Sequence, residues 1–280
     1  MDNEKPLPTV PFGDITISRL IIGGNPFRGN SHWSPEMSRD MEGYYTVARV
    51  KETLRHAESH GINTVQARGD ALIQACLREY WAEGGTIQFI VQTASELRDL
   101  RGHVRQLAAF GAKGIYIHGT WTDNQYLSGN TREIEELLKA IRDMGVQAGL
   151  GTHIPEVIDL AEEKDWDVDF YMTCMYNISV DRRESAVVSG VAAIEHFDHG
   201  DKFAMLERVR ATTKTCLAFK VLGASRLCAS PQQVKDAFAA ILSGIKPCDA
   251  IVVGMFQKYR DQIAENAQIV RDYVRESREF

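Results

Sequence analysis

Short β-rich apolar runs occur eight times along this chain, and a longer amphipathic stretch follows each of them. The runs are Ser18 to Gly23, Thr64 to Ala67, Ile87 to Gln92, Gly114 to His118, Gln147 to Gly151, Asp169 to Cys174, Leu217 to Leu222 and Ala250 to Gly254. The helical patterns are Tyr44 to His60, Ala71 to Ala82, Glu96 to Phe110, Arg132 to Met144, Pro155 to Lys164, Asp201 to Thr213, Pro231 to Ile241 and Ala264 to Ser277. Runs that are apolar throughout, each followed by a helix, predict parallel strands buried on both faces. Eight such units in 280 residues fit a closed (β/α)8 TIM barrel better than an open doubly wound sheet. No G-x-G-x-x-G turn opens the first helix, which weakens the dinucleotide-binding open sheet further.

Two stretches break the rhythm: Asn25 to Gly43 after the first strand and Asn177 to Gly200 after the sixth. Both exceed ordinary barrel loops and follow strand C-termini, where barrels build their sites, so they are expected to act as lids or pocket walls. No low-complexity segment or linker divides the chain, and residues 1–280 read as one barrel domain.

A hydrophobic share of 44% and a charged share of 25% supply an ordinary globular core. The net charge of -6 argues against nucleic-acid and acidic-membrane partners, which reward a basic field. Five cysteines without a C-x-x-C pair favour a reducing compartment over a disulfide framework. The polar, proline-punctuated start carries no signal-peptide pattern and no apolar run approaches the ~20 residues of a membrane span, so the expected location is the cytoplasm. The expected partner is a small-molecule substrate, with homo-oligomerisation left open.

In a barrel, function is read at the strand ends. Those positions offer Asn25, Gln66, Arg68, Gln92, His118, Trp121, Asp123, His153, Cys174, Tyr176, Asn177, Lys220, Arg226, Met255 and Lys258. So many polar groups would be costly in a dry core and are expected to line a wet pocket. His118, His153 and Cys174 close three adjacent strands about 4.8 Å apart, so they are candidate ligands for one zinc or manganese ion. The other reading makes Cys174 a small buried apolar residue and leaves the histidines to backbone or substrate groups. Lys220 falls in a strongly apolar run. Facing inward it would serve as a base, a Schiff-base amine or an anion clamp, and facing outward it would snorkel between helices. Arg68 and Arg226 are candidates to hold a carboxylate or phosphate, or else surface ion pairs. Glu195, His196 and His199 form a local charged cluster that is either a site or a solvated loop.

Four segments, FGDITISRLIIGGNPF, GINTVQARGD, IYIHG and VVGMFQKYRDQIAENAQIV, stand in an order and at a spacing that resembles the aldo-keto reductase superfamily. The resemblance implies a barrel closed at its base by an N-terminal β-hairpin, with NADPH along the ends of the last two strands. Met255, Lys258, Glu265 and Asn266 would then be the cofactor-binding residues. The family's catalytic Asp, Tyr, Lys and His tetrad does not carry over: Gln66, Ala71 and Gln92 stand near the first three positions and only His118 matches.

The leading expectation is therefore a non-redox enzyme of lyase or isomerase type. It would act by proton abstraction, elimination, isomerisation or aldol-type cleavage beside a carbonyl of a small hydroxylated substrate, a sugar derivative being one such class. His118, His153, Lys220 and Gln66 are the candidate catalytic residues. Asn25, Arg68, Gln92, Trp121, Tyr176, Asn177 and Arg226 are the candidate substrate contacts. The alternatives are a divergent NADPH-dependent carbonyl reductase with His118 as acid, and a silent barrel that binds a metabolite.

Overall fold

The computed structural model describes residues 6–179 and 197–276. Its first elements are two short strands, β1 (Thr9–Phe12) and β2 (Ile15–Ser18), paired antiparallel. The turn between them places Gly13 at φ 59, the left-handed region that favours glycine. Eight strands follow: β3 (Leu20–Gly23), β4 (Thr64–Arg68), β5 (Gln88–Gln92), β6 (Gly114–Ile117), β7 (Gln147–Thr152), β8 (Phe170–Cys174), β9 (Thr215–Phe219) and β10 (Ala250–Gly254). All pair in parallel with their sequence neighbours, and β10 closes on β3 to complete the barrel.

Alternation along each strand explains why the runs are apolar throughout. Ile21, Ile90, Tyr116, Phe170, Met172, Leu217 and Val252 point into the barrel, while Leu20, Ile22, Ile115, Ile117, Ala218, Ile251 and Val253 face the helices. Both faces are mostly dry, so the strands are mainly apolar and the polar residues Gln66 and Gln92 stand toward their C-terminal ends. The hairpin supplies Val10, Phe12 and Ile17 to the inner cluster and so plugs the base, with Phe12 edge-on to Phe170 at 4.9 Å. Gly149 is required here, because a Cβ at that position would lie 2.3 Å from the Phe170 ring.

The outer layer comprises α1 (Pro35–Tyr44), α2 (Val47–Ser59), α3 (Ala71–Ala82), α4 (Leu100–Phe110), α5 (Gly119–Leu127), α6 (Thr131–Arg142), α7 (Glu156–Glu163), α8 (Asp201–Ala211), α9 (Pro231–Leu242) and α10 (Gln262–Glu276). Caps fix several of these starts. The side chains of Ser34, Thr46, Asp70, Asp99 and Ser230 each accept a backbone N–H from the first turn.

The structure departs from the sequence reading in three places that matter for the site. The stretch after β3, expected as a lid or pocket wall, holds a 3-10 turn (Pro26–Arg28) and α1, and several of its residues line the cavity at the barrel mouth. The short helix α5 follows β6 directly, where no helix was expected, and it carries Asp123. The seventh barrel strand ends at Phe219, so Lys220 is the first residue beyond it and not part of the apolar strand. Among the described residues no helix is long and apolar enough to cross a membrane.

Candidate active site

The strand C-termini open one face of the barrel, and most of the expected polar side chains gather there. A cavity of about 790 Å³ begins at this mouth beside Asn25, Gln66, Phe219 and Lys220, and runs outward over the ends of β9, β10 and β3 toward α9 and α10. That size is ordinary for a small-molecule site.

The strongest polar constellation is a buried Asp–His pair that the sequence reading did not assemble. His153 follows β7 directly, and its Nδ1 lies 2.6 Å from Asp123 Oδ2 on α5. Asp123 is fully buried and His153 nearly so. The same carboxylate accepts the Thr152 hydroxyl at 2.6 Å and the His153 backbone N–H at 3.3 Å, so its position is fixed from three directions. A carboxylate can only accept here, so the proton of a neutral His153 sits on Nδ1 and Nε2 carries the basic lone pair. Gly119 makes room for the ring: a Cβ there would lie 3.0 Å from His153 Cε1. His153 also meets the Phe219 ring edge-on at 5.7 Å, so it stands one ring behind the cavity wall.

His118 caps the start of α5, with its Nδ1 2.7 Å from Ser95 Oγ, and its backbone N–H donates to Thr93 Oγ1 at 3.1 Å. Inside the barrel, Gln66 Nε2 donates to the Tyr116 hydroxyl at 2.7 Å, and that hydroxyl donates to Gln92 Oε1 at 3.0 Å. Burial pushes the Tyr116 hydroxyl above its ordinary pKa, which keeps it protonated as this chain requires. A single phenol thus fixes the orientation of two amides. Tyr116 was not among the expected site residues; it reads as core on a strand of apolar neighbours.

Lys220 lines the cavity in a left-handed backbone conformation, φ 58, and its ammonium lies 5.5 Å from the centre of the Phe197 ring. Arg226 holds this loop in place. Its Nη1 donates to the carbonyls of His32 and Gly223, both at 3.1 Å, and of Ala224 at 3.3 Å, while its guanidinium stacks 3.6 Å from the Phe197 ring centre and 5.4 Å from that of Trp33. Arg226 therefore fastens three loops together, and these contacts are spent on the protein. Arg68 is likewise engaged, with Glu96 and, at 3.8 Å, with Asp70, which also pairs with Arg28 at 3.0 Å.

Tyr176 is buried, with its hydroxyl 3.4 Å from His199 Nδ1, and the Asn177 backbone N–H donates to Asp201 at 2.8 Å. Trp121 is half-buried against the outer core. Glu195 and His196 lie outside the described residues.

The expected metal set does not assemble. Among the described residues no group of three His, Cys, Asp or Glu side chains could hold an ion. His118 and His153 direct Nδ1 to Ser95 and Asp123, and Cys174 is buried in the apolar cluster with Met175 and Tyr176.

The expected cofactor residues are split. Met255 is fully buried and its carbonyl accepts the Tyr45 hydroxyl, while Lys258 and Tyr259 both bond Asp40 on α1. Glu265 and Asn266 do line the cavity, where Glu265 pairs with Arg260 at 2.7 Å.

Fold and mouth together define a (β/α)8 barrel with a polar C-terminal face. No family model and no curated protein matches the chain. Among solved structures it is similar to a truncated 3-deoxy-D-arabino-heptulosonate 7-phosphate synthase from Thermotoga maritima, at 12% identity over 99% of this chain and 93% of that one, TM-score 0.54. It is also similar to Gox0644 in its apo form, at 11% identity over 96% and 94%, TM-score 0.58. A third is the N-acetylneuraminic acid (sialic acid) synthetase from Leptospira borgpetersenii serovar Hardjo-bovis in complex with citrate, at 11% identity over 97% and 90%, TM-score 0.51. Likeness at this level establishes the barrel alone.

These findings correct the aldo-keto reductase resemblance. No family model supports it, and the named similarities include synthases of sugar acids. Apolar runs such as the IYI of β6 are common to buried parallel strands, so their order speaks for the architecture alone. The reductase reading and the NADPH site it implied are withdrawn with it.

Proposed function

We propose that this barrel is a non-redox enzyme that moves a proton beside the carbonyl of a small hydroxylated, sugar-related substrate. The observation that carries the reading is the buried Asp123–His153 pair, which stands directly behind Phe219 in the cavity wall. Asp123 holds the proton on Nδ1, so Nε2 is the atom that would take a proton from carbon, and the carboxylate would stabilise the imidazolium as it forms. Removing the proton leaves an enolate. Reprotonation at the neighbouring carbon gives an isomer, and attack of the enolate carbon on a second carbonyl gives an aldol-type product.

The surrounding groups suit such a substrate. Gln66 and Asn25 line the cavity with amides, which bond sugar hydroxyls without demanding a charge. His118, hydrogen-bonded to Ser95, would return the proton to oxygen. Two similar barrels, a heptulosonate phosphate synthase and a sialic acid synthetase, support sugar-acid chemistry of the condensing kind.

The test is deuterium exchange in heavy water, read by proton NMR, at the carbon beside the carbonyl of dihydroxyacetone, short aldoses, their phosphates and pyruvate. Wild-type protein should exchange at least one of these, and His153→Asn should lower the rate by about 10²–10⁴-fold. Exchange that is unchanged in His153→Asn would contradict the assignment of the base.

A further inference from the structure

We propose that the outer part of the cavity is a second subsite, in which Asn266 pairs with an uncharged amide group on a tail of the substrate. This rests on the reading above for the reacting head alone, and it makes the substrate longer than a free sugar. The cavity of about 790 Å³ lies in the upper part of the ~300–1,000 Å³ range that holds drug-sized ligands, and a triose or hexose would leave much of it empty. Gln262, Glu265, Asn266, Ile269 and Asp272 line it from α10. They stand at i, i+3, i+4, i+7 and i+10, so they share one face of the helix. From Gln262 to Asp272 that face runs about 15 Å.

Asn266 is the polar side chain on this face that the protein leaves unsatisfied. It is only 5% exposed, yet among the described residues its carboxamide makes no hydrogen bond, and both amide atoms keep accessible surface. In a residue so buried that lines the cavity, this surface opens to the cavity. Its polar neighbours are engaged. Glu265 pairs with Arg260 at 2.7 Å, Gln262 Oε1 accepts the Phe256 backbone N–H at 2.8 Å, and Gln268 Nε2 donates to Asp272 Oδ1 at 2.9 Å. A shielded amide without a partner destabilises a fold, and asparagine is a poor residue for a helix interior, so stability does not account for it.

A carboxamide sets an N–H donor beside an acceptor oxygen, and another amide presents the same pair reversed. The site does not call for charge. Both carboxylates on this face are already paired, Glu265 with Arg260 and Asp272 with Arg275 at 3.2 Å, and Lys235 on α9 is exposed to solvent. Val221, Leu222, Val234 and Ile269 add an aliphatic wall, which suits a hydrocarbon link between head and amide. The head would sit beside Gln66 and Asn25, at the barrel-mouth end of the same cavity.

The probes are hexanamide, methyl hexanoate and hexanoate, read by heteronuclear NMR on the side-chain amide signals of nitrogen-labelled protein. Asn266→Leu, or the isosteric Asn266→Asp, assigns the Asn266 signals by their disappearance, and circular dichroism checks that each variant folds. Hexanamide should shift those signals. It should bind about five- to ten-fold more tightly than methyl hexanoate, which has the acceptor without the donor, and than hexanoate, which carries a charge. In Asn266→Leu the amide and the ester should bind alike. Asn266 signals that hexanamide leaves unmoved would overturn the inference, as would an ester that binds the wild type equally well. Tighter binding of hexanoate would overturn it in favour of an anion site at Lys235. These probes need no turnover, so absence of deuterium exchange in every carbonyl compound would remove the proton-transfer reading and leave the subsite standing.

Discussion

At the scale of single residues, the mouth is built from side chains that fix one another. Tyr116 is the clearest case, because its hydroxyl satisfies Gln66 and Gln92 at once inside the barrel. Tyr116→Phe removes one oxygen and leaves a half-buried amide donor and a half-buried amide acceptor without it. That should cost about 0.5–1.5 kcal/mol, measured as a lower urea midpoint. An unchanged midpoint would mean that the two amides re-pair directly. Individual residues were legible in the sequence mainly as chemistry at strand ends. Gln66 and Lys220 line the cavity, while His118 and His153 follow β6 and β7 without lining it. Their partners were not legible, because Asp123 and His153 are 30 positions apart and meet only through the packing of α5 against β7. Of the two readings of Cys174, the structure fits the buried apolar one, because a strand-end cysteine beside two histidines in order need not point where they point.

At the scale of elements, strand existence was plain and strand ends were not. The alternation that buries both faces announced every barrel strand, but no local signal in LAFKVLG separates Phe219, the last strand residue, from Lys220, the first of a left-handed loop. The α5 helix was missed because its apolar and polar residues have no helical stripe, and its position is set by the barrel end it covers. The contact between α4 and the loop after β5 gives this scale its prediction. His103 on α4 is buried, and its Nε2 accepts the Ala94 backbone N–H at 3.1 Å, so burial holds the imidazole below its ordinary pKa. The unfolded chain takes up this proton near about pH 6.5, while the native state takes it up only at lower pH. Stability from this contact is therefore complete above about pH 6.5 and declines as the pH falls. The urea midpoint should fall more between about pH 7.5 and about pH 5 in the wild type than in His103→Gln, whose amide oxygen can accept the same N–H without titrating. Equal losses in the two proteins would contradict the role of His103.

At the scale of the whole molecule, the barrel divides its labour between two ends. The hairpin and Phe12 seal the base, and the polar groups collect at the opposite mouth, where loops after β3, β8 and β9 are fastened by Arg226. The architecture could be read from the order of runs alone, because a closed parallel sheet imposes it. The same generality misled the family assignment, since segments dictated by a shared fold carry little about ancestry or chemistry. Proton transfer at this end of the barrel is proposed to run through the tautomer of His153 that Asp123 sets. Asp123→Asn tests it most directly, because an amide can donate to Nδ1 and so move the imidazole proton to Nε2, removing the base while keeping the shape. Deuterium exchange beside the substrate carbonyl should fall by about 10²–10⁴-fold with the near-ultraviolet circular dichroism unchanged. A folded Asp123→Asn protein that exchanges at the wild-type rate would contradict the account.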